Sequence, residues 1–63
     1  MTYQEAAALK PGDTIRYQLP DDEERTALVI GEVHAYPGRA QVVYVPIQGG
    51  TVNRLHILGT VKP

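Results

Sequence analysis

Lys10-Pro11-Gly12-Asp13, followed at once by Thr14-Ile15-Arg16-Tyr17-Gln18-Leu19, is the stretch that decides the fold. Proline presets the backbone for the second position of a turn, and glycine takes the positive φ that follows. The next six residues alternate polar and apolar, which predicts a strand over 14–19 with Ile15, Tyr17 and Leu19 on one side. Upstream, residues 2–9 are the one helix-friendly segment. Thr2 with Glu5 three residues on has capping-box form, three alanines favour helix, and Pro11 ends it. So short a helix needs tertiary contacts from Tyr3, Ala6 or Leu9 to persist.

Downstream the chain repeats strand, turn, strand. Pro20-Asp21-Asp22-Glu23-Glu24-Arg25 reads as a solvated acidic loop, because four adjacent carboxylates resist burial. Residues 26–36 read as one long second strand, bent or bulged at Gly31. Ala27, Val29, Gly31, Val33 and Ala35 share one face; Leu28, Ile30, Glu32, His34 and Tyr36 share the other. Pro37-Gly38-Arg39 is a tight turn. A third strand follows over Ala40 to Ile47, with Val42 and Tyr44 opposite Val43, Val45 and Ile47, and Pro46 marks an edge or terminal position. Gln48-Gly49-Gly50 closes a hairpin onto a fourth strand from Thr51, where residues 53–58 either extend it or include a 3₁₀ turn. Residues 59–62 form a short closing strand. The expectation is all-β: a small five-stranded barrel with a short N-terminal helical turn, one domain over 1–63.

Leu9-Lys10-Pro11-Gly12-Asp13-Thr14-Ile15 resembles the turn-then-strand opening of SH3-like small barrels, the group of SH3, Tudor and KOW-type domains. The resemblance spans roughly residues 9–62, through the charged loop, Ile30-Gly31-Glu32-Val33, two further hairpins and the final strand. It implies a fold and no ligand. The chain has no tryptophan to stack on proline as peptide-binding SH3 domains do, and spells out no Tudor-like aromatic cage. Plasmid-type small-barrel dihydrofolate reductases also have this architecture, with their site at a tetramer centre; their Val-Gln-Ile-Tyr motif is replaced here by Val52-Asn53-Arg54-Leu55.

Composition narrows the function classes. Sixty-three residues without cysteine have neither a disulfide nor a thiolate metal site to reinforce a small core, so assembly with a partner or a second copy is the remaining source of stability. His34 and His56 match no zinc spacing, and no metal or cofactor is expected. No apolar run approaches the ~18 residues of a membrane span, and no secretory leader is apparent, which makes a cytoplasmic protein the expectation. Serine and cysteine, the commonest nucleophiles, are both missing, and no Gly-rich phosphate loop is present, so catalysis is not expected.

Three groups remain as contact surfaces. Leu28, Ile30, Tyr36, Val42 and Tyr44 form a protein interface if the small face of the second strand lines the interior; if Gly31 flips the strand's phase, Leu28 and Ile30 belong to the core instead. Asp21, Asp22, Glu23 and Glu24 offer an acidic-loop contact to a basic partner. Arg16, Arg39, Arg54 and Lys62, with nearby tyrosines, offer a nucleic-acid surface. Net charge is −1, with −3 on residues 1–31 and +2 on residues 32–63, less basic than nucleic-acid binders usually are. The resulting expectation is a non-enzymatic binding module, a small accessory or regulatory protein of the kind phages and mobile elements encode. It works through protein contacts and self-association, with nucleic-acid binding by the basic half as the alternative.

Overall fold

A computed structural model describes residues 1–61, and the Lys10–Asp13 turn is where its sheets begin. Gly12 takes φ +100°, the Asp13 amide donates to the Lys10 carbonyl at 3.1 Å, and the Asp13 carboxylate accepts from the Lys10 amide at 2.9 Å. Ahead of the turn lies α1 (Tyr3–Ala7), capped by Thr2 with the reciprocal Thr2–Glu5 capping box. Ala6 and Leu9 are buried, and Tyr3 packs against the core. The tertiary anchors expected for so short a helix are all used.

Six strands follow: β1 (Thr14–Tyr17), β2 (Arg25–Leu28), β3 (His34–Tyr36), β4 (Val42–Ile47), β5 (Gly50–Asn53) and β6 (Ile57–Val61). A 3₁₀ turn, Arg54–His56, separates the last two, and the Asn53 side chain caps it by accepting from the Leu55 amide. The strands form two antiparallel three-stranded sheets, ordered β2-β1-β6 and β3-β4-β5. Ile15, Val29, Val43, Val45, Val52 and Ile57 are almost wholly buried between them. The all-β expectation holds, but the five-strand count does not, and the sheets are not joined into a closed ladder. Among the described residues they are linked by one isolated bridge, Val29 to Ile47.

The difference lies in the second strand. Residues 26–36 do not run as one strand but break into β2 and β3 on either side of Gly31. The cause is Pro46. Ile30 donates its N–H to the Pro46 carbonyl at 3.1 Å, and proline has no N–H to return the bond. The ladder therefore stops there and resumes at the His34–Tyr44 pair. Gly31, Glu32 and Val33 stand opposite Val45 alone, a bulge with two residues to spare. At Gly31 a Cβ atom would sit 3.4 Å from the Pro46 ring, so the chain crosses the proline at contact distance.

Pro46 was expected at an edge or terminus. It lies in the central strand of its sheet, one residue from that strand's end, where its missing donor faces the bulge. Leu19, expected beside Ile15, is exposed because β1 ends at Tyr17 and residues 19–22 turn. Lys62, the last residue of the expected closing strand, lies outside the described residues.

Candidate functional site

An even number of surplus residues leaves strand phase unchanged. The bulge adds two, so Leu28 and Ile30 before it stay on the same side as His34 and Tyr36 after it. That side is outward. Leu28 is 52% and Ile30 57% exposed, while Val29 between them is 1% exposed. The phase flip that would have placed Leu28 and Ile30 in the core does not occur.

On β4 the same alternation buries Val43, Val45 and Ile47 and turns Val42, Tyr44 and Pro46 outward. Strand register then assembles the outer face of the β3-β4-β5 sheet. His34 stands opposite Tyr44 and Tyr36 opposite Val42, while Tyr44 pairs with Asn53 and Pro46 with Thr51 on the other side. The Tyr36 and Tyr44 rings meet edge to face, with centroids 6.2 Å apart and planes at 74°, the arrangement ring quadrupoles favour. With His34 and Thr51 they line an open hollow of about 320 Å³. Its lining combines two phenols, an imidazole and a threonine hydroxyl. Residues of this kind have both apolar ring surface and hydrogen-bonding groups.

The structure thus brings Tyr36, Val42 and Tyr44 together, while Ile30 lies between β2 and β3 and Leu28 on the other sheet, each exposed. Neither His34 nor Thr51 is among the contact residues the sequence singles out. The signal for His34 was its parity with Tyr36; Thr51 had none, because its place depends on β4–β5 register. Leu55 and Leu58 are also exposed, Leu55 on the 3₁₀ turn and Leu58 where the β1–β6 register shifts.

The acidic loop is tied to its own surroundings. Asp22 accepts from the Glu23 amide at 2.7 Å and from Arg25 at 3.3 Å. The Glu23 amide, then Arg25, hold its carboxyl below the ordinary aspartate range. Asp21, at φ 61°, occupies the left-handed position of the Leu19–Asp22 turn, and Glu24 meets Arg16 at 3.4 Å. Asp21, Glu23 and Glu24 are exposed.

The basic residues are separated. Arg16 lies on the other sheet, paired with Glu24 and with its guanidinium near Gly59. Arg54 donates to the Gln41 carbonyl at 2.6 Å and the Met1 carbonyl at 3.3 Å, binding the 3₁₀ turn to the chain start and the β3–β4 turn. Arg39 is exposed on that turn. Among the described residues no group of three His, Cys, Asp or Glu side chains is placed to hold a metal ion, and no helix is long and apolar enough to cross a membrane. No family model, curated protein or solved structure matches this chain.

Proposed function

We propose that this chain is a non-enzymatic protein-binding module built as a small SH3-like barrel, acting through protein contacts and self-association in a cytoplasmic setting. The order of elements supports the barrel reading: a Pro-Gly turn into a strand, a charged loop, a run of chain broken at Gly31 into β2 and β3, two hairpins and a short closing strand. One observation carries the functional reading. Leu28, Ile30, Tyr36 and Tyr44 leave 41–57% of their surface exposed, the Tyr36 and Tyr44 rings meeting edge to face, and large exposed apolar groups of this kind mark interaction surfaces. The absence of serine and cysteine from the sequence supports binding rather than nucleophilic catalysis. The nucleic-acid alternative draws less support, since Arg16 and Arg54 are engaged within the fold.

The test pairs two measurements. Labelled single- and double-stranded DNA and RNA are titrated with the protein at low and at physiological salt, and light scattering compares the wild type with Ile30→Glu. The reading expects no nucleic-acid binding at low salt. Tight binding that falls steeply with salt, the mark of counterion release, overturns it.

A further inference from the structure

The edge of β3 turned away from β4 carries no strand among the described residues, and all three residues of β3 are exposed. Before the bulge that side of the chain is occupied: Val29 donates to the Asp13 carbonyl at 2.8 Å and accepts from the Gly12 amide at 2.9 Å. Beyond Val29 the cover ends. An open cleft of about 630 Å³ lies there, between Glu32 and Val33 on one wall and Ala7, Leu9, Lys10 and Pro11 on the other. Native edges are commonly blunted by lysine, proline or inward charge. His34-Ala35-Tyr36 itself carries none of these, although it is short and lies between the bulge and Pro37.

We propose that this edge pairs with β3 of a second copy, antiparallel about a two-fold axis at Ala35, to give one six-stranded sheet across the dimer. The inference rests on the self-association part of the reading above and names the surface responsible. With Ala35 facing itself, His34 stands opposite Tyr36 of the second copy and Val33 opposite its Pro37. Compact Pro37 and Gly38 of that copy then enter the cleft beside Val33. Glu32 falls opposite Gly38 of the second copy, within reach of the Arg39 that follows it. The symmetry makes this opposite-charge contact twice, which selects a second copy over an unrelated strand. Three paired residues alone hold a dimer weakly, so the cleft and the two Glu32–Arg39 contacts supply much of its affinity. The pairing also sets two His34–Tyr36–Tyr44 faces side by side on one surface.

The register makes the proposal testable. The chain has no cysteine, so Ala35→Cys introduces a single thiol. Facing residues in an antiparallel pair have Cα atoms ~4.5–5.5 Å apart, inside the disulfide range. Ala35→Cys is expected to oxidise to a covalent dimer at least about ten-fold faster than Thr51→Cys on β5, the contrast between a preformed pair and chance encounter. In sedimentation equilibrium, Glu32→Arg and Arg39→Glu are each expected to raise the dimer dissociation constant about ten-fold. Combining them is expected to restore it to within about three-fold of wild type, as a charge swap across a real contact does. A rate no greater than Thr51→Cys, or a double variant no tighter than the singles, overturns the pairing. An oligomer that Ile30→Glu dissociates and the charge swaps leave intact overturns the edge pairing and keeps the protein-binding reading. The nucleic-acid titration decides that reading separately.

Discussion

Val29→Ala and Ile30→Glu differ by one position in the chain and by opposite faces of the fold, and their stabilities are expected to diverge sharply. Val29 is 1% exposed, packed in the core where the two sheets are bridged. Removing two methyl groups there loses about 1.6 kcal/mol of transfer free energy. Incomplete collapse of the space left behind brings the cost to about 2–3 kcal/mol. A domain of this size has roughly 3–9 kcal/mol in total, so the midpoint of thermal unfolding falls by roughly 10–20 °C. Ile30 is 57% exposed, and its N–H bond to Pro46 is a backbone contact that substitution leaves in place. Ile30→Glu is expected to change stability by less than about 0.5 kcal/mol in either direction. The assay is urea unfolding followed by circular dichroism at the lowest workable protein concentration, where association contributes least. A loss of more than about 1.5 kcal/mol for Ile30→Glu, approaching that of a buried isoleucine, refutes the two-residue bulge and the outward placement of Ile30 with it.

Gly49 adopts φ +93° in the β4–β5 hairpin with nothing within 4 Å of the position a Cβ would take. Gly49→Ala therefore isolates backbone strain and is expected to cost about 1 kcal/mol in the same urea assay. Glu5 has its carboxyl held below the ordinary glutamate range, first by the Thr2 hydroxyl and then by the Thr2 amide. A depressed folded-state pKa stabilises the fold above the unfolded-state value and is lost as pH falls through the folded one. Wild-type stability is thus expected to decline on acidification below the ordinary glutamate pKa. Thr2→Ala, which removes the hydroxyl contact, should flatten part of that decline; an unchanged pH profile refutes the capping contact.

What was legible in the sequence was whatever depends on neighbours in the chain. The Thr2–Glu5 cap, the Lys10–Asp13 turn, the Gly49 hairpin and the inward alternation of Val43, Val45 and Ile47 all follow from local chemistry over a few residues, and each is present. The strand break was not legible in the same way. Gly31 announced a bend, but the number of surplus residues depends on which β4 residue stands opposite, and that is a relation between segments more than ten positions apart. The same distance hid the outer hollow, where His34, Tyr44 and Thr51 come from three strands.

Pro46 shows why a rule about residue type did not carry over to strand position. Proline is excluded from sheet interiors because it lacks a donor, so what matters is the side toward which the missing N–H points. In β4 it points at Ile30, where the neighbouring chain has already begun to leave the ladder. A central strand tolerates proline there because the bulge removes the demand for a return bond. Gly31 makes the crossing tight, and the two surplus residues keep the faces in phase. The break thus uncouples two requirements on residues 26–36. Ala27, Val29 and Val33 still reach the shared core, while Leu28, Ile30, His34 and Tyr36 remain outside and β3 emerges beyond the cover that the Gly12–Asp13 backbone gives Val29. These exposed residues and the bare β3 edge therefore have one structural origin, the meeting of Gly31 with Pro46.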